Sequence, residues 1–354
     1  MTTAEHTRLV KRIGAEVGFD RVGVAPAAPM PHAEFLRTWL AEGHAGRMAY
    51  MHRHLDIRLD PRRLLPGARS VICVAVNHHQ RSPEPTAADP NVAKGDVAQY
   101  AWGQDYHVVV RERLDALLER WRRDAGEAFD ARPFVDTAPV LERPLAAAAG
   151  LGWIGKNTIL IVPRLGSFVY LGGIVTTLAL DADDVVPDRC GRCTRCMDAC
   201  PTGALVEPYV LDPRKCISYL TIELRGAVPS ELRSAMGDRV FGCDVCQRVC
   251  PHNRRAPVTT DPKLQARPPA PRIALRELLN WSRETYLQAT RGRASRRAKL
   301  GMLRRNAAIA LGNVGGPDDV PVLQAIESDE DAVLAEHARW AVAEIQKRSE
   351  PPAP

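Results

Sequence analysis

Eight of the nine cysteines in this chain lie between positions 190 and 250, and their spacing constrains the fold more than any other feature. Cys190-Gly-Arg-Cys193-Thr-Arg-Cys196-Met-Asp-Ala-Cys200-Pro201 is a C-x2-C-x2-C-x3-C-P run. Cys243-Asp-Val-Cys246-Gln-Arg-Val-Cys250-Pro251 repeats its second half. Disulfides serve small secreted domains, whereas cysteines bunched at ligand spacing in a chain without a secretory leader point to metal. The opening residues, MTTAEHTRLVKRIGAEVGFD, carry charges at helical spacing and no apolar run of signal type. No stretch reaches the length of a membrane span, so a cytoplasmic protein with no membrane attachment is expected.

The spacing is that of bacterial ferredoxins with two 4Fe-4S clusters. Three thiolates on a tight loop reach three corners of one cubane, while the fourth cysteine, followed by proline, starts a helix that points to the other cluster. A second half is then required, and Cys216 supplies its distant first ligand. Cluster one is assigned to Cys190, Cys193, Cys196 and Cys250, and cluster two to Cys200, Cys216, Cys243 and Cys246. A pair of zinc sites is the alternative, since C-x2-C pairs also hold zinc, but zinc accounts for neither the C-P endings nor the exchange of fourth ligands. The C-x3-C-x2-C spacing of radical S-adenosylmethionine enzymes is absent. Cys73 sits inside the apolar run SVICVAV and reads as a core residue.

At 354 residues, 45% hydrophobic and 25% charged, the chain is long enough for two or three compact units. Residues 1–180 read as mixed α and β: a helix near 4–18, a buried strand at 70–76, an amphipathic helix at 105–126, a strand at 132–137 and an Ala-rich helix at LERPLAAAAGLG. Two apolar runs, TILIVP and GGIVTTLAL, read as further strands. Alternation of this kind belongs to a layered α/β or α+β domain. Residues 181–255 change to short elements punctuated by Cys, Pro and Gly, as where metal organises the chain. Residues 256–272 are Pro-rich and aperiodic, a linker or an extended strap over the surface. Residues 273–354 hold three helices. A weak match at an offset of 31 pairs Ala307, Ala310 and Leu311 with Ala338, Ala341 and Val342, the mark of a short HEAT-like repeat. Two such units cannot stand alone and should dock on the rest.

Net charge is +6, and of 48 Lys and Arg residues only seven are Lys. Guanidinium forks suit phosphate, but genomic base composition gives the same excess, so placement matters more. RGRASRRAKLGMLRR puts Arg291, Arg293, Arg296, Arg297, Lys299, Arg304 and Arg305 into fifteen residues without an acid. Such a run is often only a solvated helix face; at the entry to helical repeats it also fits phosphate tracking along a nucleic-acid stem-loop. Two look-alike motifs fail on context. Gly150-Leu-Gly152-Trp-Ile-Gly155-Lys156-Asn157 matches G-x-G-x-x-G and most of a P-loop, but Asn157 replaces the magnesium-binding Ser or Thr and the order is helix, loop, strand. Asp105-Tyr-His107 resembles the start of a D-x-H-x-x-G cobalamin motif, but Val110 stands where glycine should be. Cobalt ligation by His107 is not expected, and the residue reads as an ordinary one at a helix start.

Clusters pass single electrons and do no bond chemistry on an organic substrate, so the unit before them should hold a second cofactor or a substrate. The blocks LLPGARSVICVAV, QDYHVVVRERLDAL, FVDTAPVLERPLAAAAGLGWIGKNTILI, GSFVYLGGIVTTL, both cysteine runs and RRNAAIALGN follow in this order over nearly the whole chain. Together they resemble the epoxyqueuosine reductase family. The resemblance implies an α+β fold: an α/β-type, nitroreductase-like cobalamin-binding catalytic domain (1–180), a two-cluster ferredoxin domain (181–255), the linker, and a HEAT-like tRNA-binding region (273–354). It implies an oxidoreductase that reduces epoxyqueuosine to queuosine at the wobble position of tRNAs with GUN anticodons, the last step of tRNA queuosine biosynthesis. Electrons from a flavodoxin or ferredoxin reductase system would pass through the outer cluster, then the inner one, to base-off cobalamin.

Asp136 matches the family's proton donor. An epoxide oxygen leaves as an alkoxide that an acid must protonate, and a carboxyl partly buried against the corrin is expected to have a raised pKa. On its residues alone, Asp136 reads equally as a helix N-cap. Arg58, Asn157, Ser167, Ser218 and Asp244, with Asp136, match positions that hold cobalamin; for Arg58 and Ser167 a surface or turn role competes. An anticodon loop is single-stranded, so its wobble base can be splayed into a pocket at low cost. The competing readings are an electron-transfer subunit without corrinoid and a corrinoid reductive dehalogenase, whose relatives resemble exported enzymes with a twin-Arg signal. With no large apolar seam evident, a monomer is expected.

Overall fold

The strand read at 70–76 organises the first unit of the computed structural model, which describes residues 1–81 and 92–349. In chain order this unit holds α1 (Thr3–Glu16), β1 (Arg21–Pro26), α2 (Ala33–Ala41), α3 (Leu55–Leu59), β2 (Ser70–Asn77), β3 (Lys94–Val97) and α4 (Tyr106–Asp124). There follow β4 (Ala131–Phe134), α5 (Glu142–Ala148), β5 (Trp153–Ile154), β6 (Leu160–Ile161) and β7 (Val169–Thr176). Four strands form a sheet in the order β1-β2-β7-β4, and every neighbouring pair is antiparallel. The α+β expectation describes this sheet; an α/β-type parallel arrangement does not. Alternating helices and strands in the sequence do not by themselves state the direction in which strands pair.

All eight residues of β2 are buried, because helices cover both faces. Side chains alternate across a strand. Ile72, Val74 and Val76 therefore meet Leu9, Val10 and Ile13 of α1 and Val110, Leu114, Leu117 and Trp121 of α4. Val71, Cys73 and Ala75 point the other way, toward Leu145 and Ala146 of α5. Cys73 is a core residue, 1% exposed, and burial pushes its thiol well above the ordinary range. α1 starts at a capping box between Thr2 and Glu5, and Asp105 caps α4 through the His107 N–H. TILIVP yields only the two-residue β6, paired with β5. Pro163 lacks a donor for a longer ladder and Arg164 turns the chain at φ +67°.

The Gly150–Asn157 loop crosses from α5 into this hairpin. A Cβ at Gly152 would lie 2.1 Å from the Ile161 carbonyl oxygen, and Gly150 takes φ +70° at the end of the helix. These glycines allow backbones to pack closely, which accounts for the look-alike motif.

The next segment carries α6 (Arg195–Asp198), β8 (Leu205–Glu207), β9 (Val210–Leu211), α7 (Ile217–Ile222), α8 (Ser230–Arg233), β10 (Arg239–Phe241) and α9 (Val245–Arg248). The strap from 256 lies against the first unit: the Thr259 N–H bonds the His79 carbonyl and Leu264 is fully buried. It ends in β11 (Arg272–Ala274), followed by α10 (Leu275–Leu279), α11 (Arg283–Ala289), α12 (Leu300–Val314), α13 (Val320–Gln324) and α14 (Ala332–Ser349).

The borders at 180, 255 and 272 are not planes of separation. β3 pairs with β10 on one side and β11 on the other. One core joins Val97 and Trp102, Val240 and Phe241, and the helices α10, α12 and α14. Ala307, Ala310, Leu311, Ala338, Ala341 and Val342 are all buried in that core. Among the described residues no helix is long and apolar enough to cross a membrane.

Candidate active site

Asp136 lies in the loop between β4 and α5 with φ +43°, a region a non-glycine residue enters only when its surroundings hold it there. Two bonds do so. The Thr137 N–H reaches back to the Val135 carbonyl at 2.5 Å, and the Asp136 N–H donates to Glu142 Oε1 at 2.5 Å. Glu142 sits at the start of α5 and is half-buried; burial and the nearby Asp136 charge push its carboxyl up to about 8.

The Asp136 carboxylate meets a residue that the sequence reading set aside. His107 Nε2 is 2.9 Å from Asp136 Oδ2, and His107 Nδ1 is 2.7 Å from Asp105 Oδ1. Burial favours a neutral ring, but the bonds and charges of the two carboxylates outweigh it and raise His107 to about 9. Burial likewise works to raise Asp136, yet the bond and charge of His107, with the Tyr106 hydroxyl, hold it below the ordinary carboxylate value. The expectation of a raised pKa therefore does not describe Asp136 in this structure, because a cation sits against it. Asp136 is recessed but open, with 53% of its side chain exposed.

Aromatic rings back this pair. Tyr106 stacks on His107 at 4.1 Å and on Tyr170 at 4.7 Å, and Tyr170 stacks on His78 at 4.1 Å. Tyr50 and Arg58 lie near enough to Asp136 to feel its charge. Arg297 does too, its guanidinium 5.4 Å over the Tyr50 ring and bidentate to Glu223 at 2.9 Å on both arms.

Of the residues matched to cobalamin, Arg58 lies near Asp136, while Asn157, Ser218 and Asp244 lie against Cys246 or Cys216. Arg58 Nη2 donates to the Tyr50 carbonyl at 3.2 Å, while its buried Nε has no partner. Buried Asn157 donates to the Cys246 carbonyl at 3.4 Å. Asp244 accepts from the Gln99 N–H at 2.7 Å, and burial pushes it up to about 6. Ser167 is engaged by Asn253, which donates to its hydroxyl at 2.8 Å. The Ser218 hydroxyl faces the Cys216 thiol. Half-buried Tyr100 feels both Asp136 and Asp244, so the two parts of the set adjoin one ring.

The cysteines gather in two groups. Besides burial, Cys196 is raised by Cys250 and Cys190, and Cys250 by Cys190 and Cys193. Cys246 is raised by Cys243, Cys216 and Cys200. Cys250 thus lies near Cys190, Cys193 and Cys196, and Cys246 near Cys200, Cys216 and Cys243. None of the eight pairs in a disulfide. Four thiols per set is the donor chemistry that a cubane takes. Lys156, from the glycine loop, donates to the Gly191 and Cys193 carbonyls at 2.7 and 3.1 Å.

The basic run splits. Arg305 is 1% exposed and donates to the Leu220, Leu224 and Gly226 carbonyls and to Asn306. Arg293 is buried against the Trp102, Arg267 and Pro268 carbonyls. Arg304 is held by the Leu279 carbonyl and Asp329. Arg293 and Arg305 thus spend their donors inside the fold, and Arg304 is half-buried and already paired. Arg291 and Arg296, with Arg283 and Gln288, line one open groove on α11, and Lys299 is exposed.

His107 and Asp105 join the Asp136 recess without being expected there; the Asp-x-His start at the head of α4 is the available signal. Tyr106, Glu142, Gln99 and Tyr50 left none.

A family described as "Epoxyqueuosine reductase QueG, DUF1730" matches residues 58–137, and one described as "4Fe-4S double cluster binding domain" matches residues 189–253. The epoxyqueuosine reductase of Escherichia coli is 44% identical over 345 residues, 96% of this chain and 90% of that protein. A crystal structure of epoxyqueuosine reductase with an epoxyqueuosine-modified tRNA-Tyr stem loop superposes with TM-score 0.90 at 30% identity, covering 96% of this chain and 90% of that one. The Bacillus subtilis enzyme, with an aspartate-bearing catalytic loop swung out of its active site, gives 0.89 at 29% identity, with the same coverage.

Proposed function

This chain belongs to the epoxyqueuosine reductase family, and from that membership we propose that it reduces epoxyqueuosine to queuosine at the wobble position of tRNAs with GUN anticodons, with Asp136 as proton donor. The observation that carries the assignment of Asp136 is its place: a carboxylate held at positive φ, open to solvent, beside a histidine cation. The catalytic aspartate loop of the Bacillus subtilis relative supports the same choice.

Cluster one is assigned to Cys190, Cys193, Cys196 and Cys250, and cluster two to Cys200, Cys216, Cys243 and Cys246. Arg58, Asn157, Ser218 and Asp244 would hold a cobalamin. The unpartnered Arg58 Nε suits an amide oxygen of its rim, since a buried donor left alone is costly, whereas Ser167 serves Asn253. When bound, these groups supply low-potential electrons one at a time, drawn from a flavodoxin- or ferredoxin-type donor. The protein's own residues do the rest. Asp136 delivers a proton to the epoxide oxygen, Glu142 fixes the loop that aims it, and Tyr106 and Tyr170 form an apolar backing. Arg291, Arg296 and Lys299 would contact phosphates of the anticodon stem-loop, and Arg297, beside Tyr50, lies where a splayed base would enter.

The test is anaerobic turnover by protein reconstituted with iron, sulfide and cobalamin, following nucleosides from epoxyqueuosine-containing tRNA. Queuosine should form only with cobalamin added. Asp136→Asn should lower the rate at least about a hundredfold with the iron content unchanged. Protein that holds its clusters yet neither binds cobalamin nor alters the tRNA would leave electron transfer alone as its activity.

A further inference from the structure

Removing an epoxide oxygen to leave an alkene breaks both C–O bonds, forms one C=C bond and consumes two electrons and two protons. Both protons end on the oxygen, which departs as water. The electrons come from the one-electron donor that the function above requires. A single carboxylic acid carries one proton, so Asp136 must be reloaded within each turnover.

We propose that His107 is the proton reserve for Asp136: its Nε2–H, 2.9 Å from Asp136 Oδ2, passes each proton to that carboxylate, while Asp105, 2.7 Å from Nδ1, holds the ring and its charge. This rests on the functional assignment above. The groups facing the pair are Asp105 and Tyr106 on the head of α4, Glu142 and Arg143 on α5, Tyr50 and Arg58 from the segment before β2, Tyr100 after β3, and Arg297 before α12. Two carboxylates bond the ring directly, while the nearest cations face Asp136. With the ring raised to about 9 and Asp136 held low, the pair stores one proton at neutral pH, on the imidazole side. Transfer through Asp136 to the oxygen leaves a neutral ring. Solvent, which reaches 31% of the His107 side chain, recharges it for the second transfer.

The geometry also explains why the histidine does not act on the substrate itself. Both its nitrogens are committed to carboxylates, and Asp136 alone of the three presents a half-exposed tip. His107 thus works through Asp136.

Three measurements on full-length protein decide this. First, the ring carbons of ¹³C-labelled histidine are titrated by NMR in cluster-loaded protein, with His107→Gln assigning the signal. His107 should titrate near 9 and move down in Asp105→Asn and Asp136→Asn; titration at the ordinary histidine value in the native protein would overturn the proposal.

Second, the native kcat should fall as pH rises through about 9, where the reserve empties. In His107→Gln, which keeps a hydrogen-bonding amide beside Asp136, kcat at neutral pH should fall at least about tenfold. KM for the tRNA stem-loop should hold and added imidazole should restore part of the loss; native kcat and an unmoved alkaline limb would sink the idea. Third, Asp105→Asn leaves ring and acid in place and should shift that limb to lower pH, and a limb that stays put counts against the reserve. Native protein that makes no queuosine would overturn the functional assignment instead, while the NMR titration would still judge the pair.

Discussion

All eight residues of β2 are buried, whereas no residue between 181 and 203 is. The sheet is held by apolar burial, at about 25 cal/mol per Å² removed from water. The loop that carries Cys190 to Cys200 has no such core, and beyond the Lys156 bonds to Gly191 and Cys193 its order rests on bonds between thiolates and metal. The same residue type is therefore inert in one region and decisive in the other. Cys73 fills space against α5; Cys246 stands among three other thiols.

The largest effect follows from exchanging one atom in each region. Cys246→Ala should lower iron to about half of the native content and abolish queuosine formation, while melting of the sheet stays near native. Cys73→Ala should keep full iron and activity and cost about 1 kcal/mol in unfolding free energy, the price of a small cavity. Iron assay, turnover and thermal melts check both. Loss of iron in Cys73→Ala, or collapse of the sheet in Cys246→Ala, would break the distinction.

How much of this was legible depended on whether the cause was local. Ligand spacing is local, because a cubane corner fixes how many residues separate two thiolates, so a double-cluster segment is legible in the sequence. Strand β2 and helices α1 and α4 were legible through periodicity. The antiparallel order β1-β2-β7-β4 was not, since periodicity states which face is buried and not which strand lies alongside. Asp136 was found only through resemblance; nothing in Val135-Asp136-Thr137 announces a positive φ. His107 lies 29 positions before Asp136, and only the turn after β4 brings the two together. Its Asp-x-His spacing resembles a cobalamin motif, yet its nitrogens are occupied by carboxylates.

Arg305 sharpens the comparison, because the metal-bearing segment also draws order from α12. Met302, Arg305, Asn306 and Ile309 are buried at helical spacing on one face. From that face Arg305 binds the Leu220, Leu224 and Gly226 carbonyls, which follow Cys216 in the chain. Arg305→Met keeps much of the volume but leaves these acceptors unpaired, and should cost about 3 kcal/mol. Loss of hydrogen-exchange protection should centre on α7, and iron should escape to a chelator faster than from native protein. An unchanged chelation rate would mean that the thiolates alone order this segment.

The smallest expected effect separates residues of one basic run by where they ended up. Arg291 and Arg296 are exposed in the groove on α11, so Arg291→Ala with Arg296→Ala removes charge without removing structure. Each lost phosphate contact releases about one counterion fewer, so the slope of log affinity for the anticodon stem-loop against log salt should become shallower by about 1.4 to 1.8. Affinity should drop severalfold at low salt and converge on the native value as salt rises, since screening weakens what the mutation removed. Melting temperature, iron content and kcat at saturating tRNA should not move. Arg305→Met should show the reverse pattern, with stability lost and the salt slope native. If the double variant keeps the native slope, the groove on α11 does not carry the tRNA, and the contact must be sought around Arg297 and Tyr50 at the mouth of the Asp136 recess.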